Sequence, residues 1–374
     1  MNNWQKTHMA SKRIPELDGA RGLAILLVLV WHYFQNPLRV DPGTSLAYLK
    51  QVLGFTWCGV DLFFVLSGFL IAGILLDKRD SERYFRAFYA RRICRIFPLY
   101  YLFIGLFAVL VATGVGDQQA QRFLFAHSDI PLWSYVTFTQ NIWMGAGNTF
   151  GAHWLAITWS LAVEEQFYLF LPLIIRITPR SLLPWVFLWF IIMAPYLRAT
   201  EPGFTAYINT PWRADSLLVG AMLAYYVRNP AFMSWIHAHK ALVYRVFYLL
   251  LLGALATNFS HQRPFSLTFT YLCLALLFAT LILILLIDRE SLLARIFRNR
   301  QLMWLGTISF GVYIFHQAIS GLLFGLMVGD IPAILSLDDA GLTLLALILT
   351  LGLAHVSFRY FERPIIHIGH SFRY

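Results

Sequence analysis

Charged residues are scarce in this chain of 374 residues. Asp, Glu, Lys and Arg together make up 13% of it, whereas they make up about a quarter of an ordinary soluble domain. Hydrophobic residues account for 59%, and the mean hydropathy is +0.62. So few charges do not suffice for the surface of a soluble protein of this length. The composition therefore excludes an ordinary soluble protein and predicts an all-α, polytopic integral membrane protein.

Cysteine is also rare, and the three cysteines are isolated. Cys58, Cys94 and Cys273 form no CxxC or CxxH spacing, which disfavours a structural zinc site or a disulfide framework. We expect them to be small, buried apolar residues, with a Cys58–Cys273 bridge as an open alternative. His237 and His239 lack a third ligand, so we expect no metal ion.

Internal repeats, low-complexity tracts and a separate soluble domain are absent, so length indicates a number of membrane crossings. About 20 apolar residues cross the roughly 30 Å of hydrocarbon in a bilayer. The sequence predicts a single transmembrane domain over residues 1–374 with about ten transmembrane helices. The segment 117–153, rich in aromatics, Gly and Asn, is predicted to fold over the membrane surface as a cap or binding loop. The predicted spans are 21–36, 57–76, 98–116, 154–175, 182–198, 213–227, 243–258, 267–287, 304–328 and 340–360.

Basic residues determine the predicted orientation. The N-terminus has basic residues before an apolar run but no small-x-small cleavage site after it, so the run is interpreted as a retained first helix behind a short cytoplasmic tail, 1–15. With the N-terminus inside, 23 of the 29 Lys and Arg residues fall on the inner side, where cytoplasmic loops collect them. Both termini are therefore predicted to be cytoplasmic. This topology explains the net charge of +10 without a nucleic-acid partner.

The first span, LDGARGLAILLVLVWHYF, carries three ionisable residues. Arg21 and His32 are eleven residues apart, so they share one helix face with a rise of roughly 16 Å. An ionisable side chain at that depth is costly and often marks a function. Two structural alternatives stay open: a neutral His32 can hydrogen-bond to a neighbouring helix, and Arg21, near Asp18, can extend to the membrane surface.

Three arginines precede the third span in the stretch RRICRIFPLYY. On a helix, Arg91 and Arg95 are one turn apart and Arg92 lies beside them, so the three guanidinium groups converge on one patch. Such planar forks suit phosphate oxygens. A nucleotide-like or CoA phosphate and an anionic lipid headgroup are equally good ligands on this evidence.

Further polar residues lie inside or beside the second and fourth spans. Asp61 begins the apolar run GVDLFFVLSGFLI, where a carboxylate needs a cation, a hydrogen-bond donor or water. Ser67 in the same run is a small residue, which usually indicates close helix packing. Glu164 and Glu165 are adjacent in TWSLAVEEQFY, so they cannot face one direction. An ion pair with Arg213 is one way to satisfy either carboxylate.

Polar residues near the other spans complete the candidate set. His153 precedes the fourth span at the predicted outer surface, and Asp215 follows Arg213 at the outer end of the sixth. His316 lies in the middle of the ninth span, and Glu362 lies at the inner end of the tenth. Each of these residues is either a reactive group or a tether between helices.

Seven motifs together resemble the acyltransferase-3 family, whose members O-acylate surface sugars and related acceptors. They run in order from Leu17 to Pro364 and cover nearly the whole chain. The motifs are LDGARGLAILLVLVWH, GVDLFFVLSGFLI, RRICRIFPLYY, TWSLAVEEQFY, RADSLLVGAML, SFGVYIFHQ and FERP.

The resemblance implies a core of about ten helices in the bacterial cytoplasmic (inner) membrane. It also implies transfer of an acyl group, often acetyl, from cytoplasmic acyl-CoA to a hydroxyl outside the membrane. Acyl-CoA (acetyl-CoA) is then a co-substrate, and no cofactor is expected to be tightly bound. The acceptor is expected to be a carbohydrate or glycolipid, for example a lipopolysaccharide or another surface polysaccharide. Some members carry a fused esterase-like domain; without one, we expect a standalone form, to which a separate periplasmic transferase is a possible partner.

Individual residues take roles from the same resemblance. Arg21 and His32 match the essential pair of the family, and we include Asp18 beside them as a catalytic candidate. The arginines at 91–95 match contacts to the CoA phosphates, and Glu164 matches the family's acid better than its neighbour does. His32 is either the general base for the acceptor hydroxyl or a transient acyl carrier.

Two other functions use the same buried charges. A transporter or exporter of an anionic glycolipid or polysaccharide precursor would line its pathway with them, and a structural subunit of an envelope assembly would keep them without turnover. The sequence lacks the inverted repeat and the paired broken helices that many transporters show. The acyltransferase is therefore the favoured hypothesis, while acceptor, acyl chain length and oligomeric state stay open.

Overall fold

The computed structural model describes residues 14–114, 122–125, 130–259 and 263–374. Over these residues the chain is built from helices, and the only β-type contact is an isolated bridge between Leu38 and Ile334. Ten of the described helices have 16 residues or more. They are α1 Pro15–Val30, α2 Gly59–Asp77, α3 Tyr84–Ala112, α4 Thr158–Ile177, α5 Leu183–Thr200, α6 Thr210–Tyr226, α7 Lys240–Phe259, α8 Arg263–Ile287, α9 Ser309–Met327 and α10 Leu337–Ser357.

These ten helices overlap the ten predicted spans, and the largest difference is at the start of α3. The prediction began this span at residue 98, whereas the helix begins at Tyr84. The stretch 84–97 mixes arginines with aromatic and aliphatic residues, so a prediction based on apolar runs stopped where the charges begin. The arginines of the RRICR motif therefore lie on a continuous helix, not in a loop before one.

Hydropathy supports a membrane location for most of these helices. Seven helical segments of the described chain are long and apolar enough to cross a membrane, or eight if one bent pair counts as a span. The bent pair is Pro230–Ala238 and the start of α7, which meet at 80°. α4 is not among these segments because it carries two adjacent glutamates, and α6 has only 17 residues. The protein is therefore a polytopic, all-α integral membrane protein.

α2 and α6 pack with their backbones in direct contact through two glycines. A methyl group on Gly68 would lie 1.8 Å from the carbonyl oxygen of Leu217, and one on Gly220 would lie 2.1 Å from that of Val65. Small residues allow such close approach between membrane helices, where lipid supplies no hydrophobic driving force. This contact fixes α2, which carries Asp61, against α6.

The first turns of α1 are held in the same way by the short helix Arg300–Thr307. A methyl group on Gly306 would lie 2.0 Å from the carbonyl oxygen of Asp18, and one on Gly22 would lie 1.9 Å from that of Leu302. The two backbones therefore touch, and side-chain substitution has no room at this contact. The position of α1 along the bundle is fixed by this packing.

The cysteines only partly follow the prediction. Cys58 is buried, but Cys273 is exposed on α8 because it points away from the other helices, so its predicted burial was wrong. Both are free thiols, so the open alternative of a bridge between them is not formed.

Gly220→Ala should destabilise the protein, because the added methyl group overlaps the backbone of α2 and forces the two helices apart. Overpacking of this kind typically costs about 1–3 kcal/mol. The apparent melting temperature is measured in detergent as the temperature at which the monodisperse chromatographic peak is lost on heating. Gly105→Ala is the control, since a methyl group there meets no atom within 4 Å. An unchanged melting temperature for Gly220→Ala would contradict this packing.

Candidate active site

Two adjoining cavities lie within the helical bundle and differ in charge. The smaller, the arginine cavity, has a volume of about 330 Å³, and the larger, the histidine cavity, has a volume of about 890 Å³. Polar residues of the arginine cavity are Arg21, Ser67, Arg91, Arg92, Arg95, Ser160, Glu164, Tyr168, Ser309, Tyr313 and His370. Polar residues of the histidine cavity are His32, Gln35, Asn36, Gln51, His153, Tyr207, Thr270, Tyr271, Tyr313 and Gln317.

The three arginines of the RRICR motif line the arginine cavity from α3. The guanidinium of Arg92 lies 4.9 Å from the centre of the Tyr168 ring. Arg91 lies 4.8 Å from the centre of the Tyr374 ring and donates from Nε to the carbonyl oxygen of Phe372 at 2.9 Å. Within the described residues, none of the three forms an ion pair with a carboxylate. The structure thus brings together three guanidinium groups, none of which is in contact with a carboxylate that would neutralise it.

Arg21 adds a fourth guanidinium to this cavity, from α1. Its Nη1 donates to the carboxylate of Asp18 at 3.1 Å, one turn earlier on the same helix. The ion pair restricts the rotamers of Arg21 and keeps its side chain on the face of α1 that meets the cavity. Asp18, which sequence analysis put forward as a catalytic candidate, is therefore an ion-pair partner of Arg21.

A chain of hydroxyls connects Glu164 to α2 inside the arginine cavity. Tyr168, one turn later on α4, donates to Oε2 of Glu164 at 3.0 Å, and its hydroxyl is also hydrogen-bonded to Ser67. Ser67 is therefore a polar member of the cavity, while its neighbour Gly68 makes the close helix contact. Glu165 does not line either cavity, and its buried Oε1 has no hydrogen-bond partner among the described residues. Of the two adjacent carboxylates, only Glu164 faces the candidate site.

His32 lines the histidine cavity from a widened helical turn. The end of α1 passes into a π-helical turn, Trp31–Gln35. Such turns are rare in proteins, and those that occur are frequently at functional sites. Nδ1 of His32 lies 2.9 Å from the carbonyl oxygen of Val28. A neutral ring that donates from Nδ1 leaves Nε2 as a proton acceptor. Sequence patterns predicted this residue as a candidate, but they contain no signal for the π turn that positions it.

His316 packs directly against His32. The two ring centres are 4.8 Å apart in an edge-to-face arrangement. His316 is fully buried; its Nδ1 lies 2.7 Å from the carbonyl oxygen of Tyr313, and its Nε2 has no partner among the described residues. Tyr33 donates to the carbonyl oxygen of His316 at 2.9 Å and lies 2.8 Å from the hydroxyl of Thr350. α1, α9 and α10 are thereby tied together around the imidazole pair.

His153 is half-buried in the turn before α4 and forms part of the wall of the histidine cavity. Sequence analysis placed His153 at the outer surface but did not predict that it lines a cavity. Phe150 and Gly151 line the same cavity, so the end of the predicted binding loop does reach the site. Parts of that loop, 117–121 and 126–129, lie outside the described residues.

Two fully buried ion pairs lie behind the wall of the histidine cavity. Nη2 of Arg213 lies 2.5 Å from Asp61, and Nη2 of Arg198 lies 2.6 Å from Asp215. The Arg213 guanidinium also lies 3.7 Å from the centre of the Tyr271 ring. None of the four ionic residues lines a cavity. They are tethers between α2, α5 and α6, and sequence analysis missed Arg198 because its partner lies on another helix.

The suggested pairing of Glu164 or Glu165 with Arg213 was therefore wrong. Arg213 is already bound to Asp61, and the two glutamates lie elsewhere on α4. Glu362 is 6% exposed, and its Oε1 accepts a hydrogen bond at 2.9 Å from Ser357, five residues earlier on the same helical segment. It lines neither cavity.

Tyr313 forms the wall between the two cavities and, with Val60, lines both of them. Its hydroxyl donates to the carbonyl oxygen of Ile157 at 2.9 Å and lies 2.5 Å from the hydroxyl of Ser160. Ile157 belongs to the histidine cavity and Ser160 to the arginine cavity. Sequence analysis did not single out Tyr313, although it lies one turn from His316 in the SFGVYIFHQ motif.

The fold and the two cavities define a class of protein: an integral membrane protein with a cationic cavity and a histidine-containing cavity on either side of one tyrosine. Residues 14–359 match the sequence profile of the acyltransferase domain family, acyltransferase-3. The match covers nearly the whole chain, and the chain belongs to this family. The resemblance drawn from the seven motifs is therefore confirmed.

Curated relatives agree with this membership. A peptidoglycan O-acetyltransferase of Listeria monocytogenes is 27% identical over 391 residues, which cover 96% of this chain and 57% of the relative. A Bacillus subtilis protein provisionally given the same name is 28% identical over 385 residues, covering 94% of this chain and 55% of the relative. The chain thus spans little more than half the length of these relatives. No solved structure matches it significantly.

Asp61→Ala should destabilise the protein strongly, because it leaves Arg213 buried without its counter-ion. Breaking a buried ion pair by removing one partner typically costs about 3–5 kcal/mol. Asp80→Ala is the matched control, since Asp80 also pairs with an arginine but is 82% exposed, and an exposed pair contributes about 0–1 kcal/mol. Thermal unfolding in detergent measures both variants. If Asp61→Ala melted no earlier than Asp80→Ala, the tether role of this pair would be wrong.

Proposed function

We propose that the protein is a membrane O-acyltransferase that moves an acetyl group from acyl-CoA to a hydroxyl of a carbohydrate or glycolipid. The observation that carries this proposal is the pair of adjoining cavities, one with four arginines and one with His32. The first suits a phosphate-bearing donor, and the second offers a neutral base to an acceptor. The tyrosine between them lies where the two substrates would meet.

The distribution of basic residues orients this arrangement in the membrane. The excess of Lys and Arg lies on the side of the arginine cavity, and cytoplasmic loops carry such an excess. The arginine cavity then opens to the cytoplasm, where acyl-CoA is available, and the histidine cavity faces the outside of a bacterial cytoplasmic membrane. Both termini are cytoplasmic in this orientation.

The donor is held by its phosphates at the three arginines of α3. Planar guanidinium groups bind phosphate oxygens with paired hydrogen bonds, and these three are not neutralised by a contacting carboxylate. The narrow pantetheine arm then extends along the arginine cavity past Glu164 and Arg21. Because Tyr313 closes the end of this cavity, the thioester reaches His32 only when that side chain rotates away from Ser160.

His32 activates the acceptor in the histidine cavity. Its Nε2 takes the proton of the acceptor hydroxyl while the hydroxyl oxygen attacks the thioester carbonyl. The carbon–sulfur bond breaks, and CoA leaves as a thiolate that is then protonated. In the alternative sequence, Nε2 itself attacks the thioester, and the acyl group passes from His32 to the acceptor in a second step.

The names of the relatives favour acetyl as the group transferred and a glycan as the acceptor. The two relatives described above are both named as O-acetyltransferases of peptidoglycan. A separate periplasmic transferase is a candidate partner for the last step. Direct transfer from the histidine cavity is the other route.

Arg92→Ala should weaken acetyl-CoA binding about tenfold or more, because it removes charge-assisted hydrogen bonds worth about 1.5–3 kcal/mol each. Binding to the purified protein in nanodiscs is measured by calorimetry at two salt concentrations. Arg86→Ala is the control, since Arg86 is an exposed arginine on the same helix that lines neither cavity. Unchanged acetyl-CoA affinity combined with weaker binding of anionic lipid would assign the cluster to lipid headgroups instead.

His32→Ala should lower acetyl transfer by about a hundredfold or more, the lower end of the contribution of a general base. Radiolabelled acetyl-CoA is supplied to purified protein with envelope glycans, and label in the glycan is counted. His239→Ala, which changes an exposed histidine outside both cavities, is the control. Full transfer by His32→Ala would exclude His32 from the reaction. Label on the wild-type protein without acceptor, released by neutral hydroxylamine and absent from His32→Ala, would identify the acyl-histidine route.

A further inference from the structure

The described wall of the histidine cavity carries no side chain with a formal charge. Among the described residues that line it there is no Asp, Glu, Lys or Arg. Eight aromatic side chains form much of the wall, and four carboxamides lie among them: Gln35, Asn36, Gln51 and Gln317. The volume of about 890 Å³ falls within the range of about 300–1,000 Å³ for small-molecule sites. This chemistry is the opposite of that in the arginine cavity.

The charges just behind this wall cancel in pairs. Arg213 is bound to Asp61 and Arg198 to Asp215, all four being at most 2% exposed. The ring of Tyr271 lines the cavity and lies against the guanidinium of Arg213. Because each cation has its own carboxylate at contact distance, the four groups add no net charge behind the wall.

An anionic acceptor would therefore lose water in this cavity without gaining a cation, and burial of an unpaired charge is strongly unfavourable. A neutral sugar does not incur the cost of burying an unpaired charge. Its hydroxyls donate to and accept from carboxamides, while its apolar face packs on aromatic rings. The composition of the described wall fits the neutral ring and disfavours a carboxylate, phosphate or sulfate.

We propose that the histidine cavity binds its acceptor as an uncharged sugar ring, and that Gln317 determines specificity by accepting a hydrogen bond from a ring hydroxyl. This inference rests on the function proposed above and narrows its acceptor class. Gln317 follows Tyr313 by one turn on α9, and both line the cavity. Its buried Oε1 has no hydrogen-bond donor among the described residues. A buried amide oxygen without a donor is costly. A half-turn of the carboxamide exchanges this oxygen with the amide nitrogen and turns the oxygen into the cavity, where a ligand hydroxyl removes that cost.

The direct test identifies the sugar that the purified protein acetylates. Protein in nanodiscs receives radiolabelled acetyl-CoA and envelope glycans from the organism that encodes it. The glycans are depolymerised enzymatically, and the labelled sugars are separated by anion exchange. We expect label on a sugar without carboxylate, phosphate or sulfate. Label on an anionic sugar would overturn this inference and leave the acyltransferase proposal standing, whereas no label in any fraction together with no CoA released from acetyl-CoA would overturn both.

Two variants of Gln317 test its own role. Gln317→Leu keeps the approximate size but removes the acceptor oxygen, so the KM for the glycan should rise about tenfold, the equivalent of one hydrogen bond. Gln317→Arg adds a cation, so the ratio of label in anionic to neutral glycans should rise severalfold. Gln301→Arg, an exposed change on the helix Arg300–Thr307, should leave that ratio unaltered. An unchanged KM for Gln317→Leu, or an unchanged ratio for Gln317→Arg, would show that Gln317 does not contact the acceptor.

Discussion

The hydroxyl of Tyr313 makes the contact on which the two-cavity arrangement depends. It binds the carbonyl oxygen of Ile157 and the hydroxyl of Ser160, and so it holds an aromatic ring across the passage between the arginine cavity and the histidine cavity. A hydrogen bond between neutral groups contributes only about 0.5–1.5 kcal/mol. In the function proposed above, a bound donor therefore displaces the ring at modest cost.

Charge is distributed so that each cavity keeps a distinct chemistry. The arginines of α3 have no contacting carboxylate and are available to an anion, whereas Arg213 and Arg198 are bound to Asp61 and Asp215 within the bundle. Unpaired charge at this depth is costly, so the buried pairs serve as neutral tethers that position the aromatic wall. The described wall of the histidine cavity contains no lysine or arginine.

Hydropathy and local spacing predicted much of this structure, and contacts between distant helices account for what they missed. Apolar runs located all ten long helices, and the i, i+4 spacing of Arg91 and Arg95 predicted their convergence. The start of α3 was missed because its first turns are charged. The partner of Arg213 could not be predicted, since Asp61 and the glutamates of α4 are equivalent carboxylates in sequence. Likewise, the wall formed by Tyr313 arises where α2, α4 and α9 meet. No local sequence pattern predicts such a meeting of helices.

In the function proposed above, one acyl-CoA molecule extends from the arginine cavity into the histidine cavity. The most direct measurement is an electron cryo-microscopy structure of the protein in nanodiscs with a non-hydrolysable thioether analogue of acetyl-CoA. Our account predicts CoA phosphates in hydrogen-bond contact with the arginines of the RRICR motif, Tyr313 rotated away from Ser160, and the acyl end beside His32. An acyl end that remains on the arginine side of an intact Tyr313–Ser160 contact would contradict it, as would CoA bound outside this cavity.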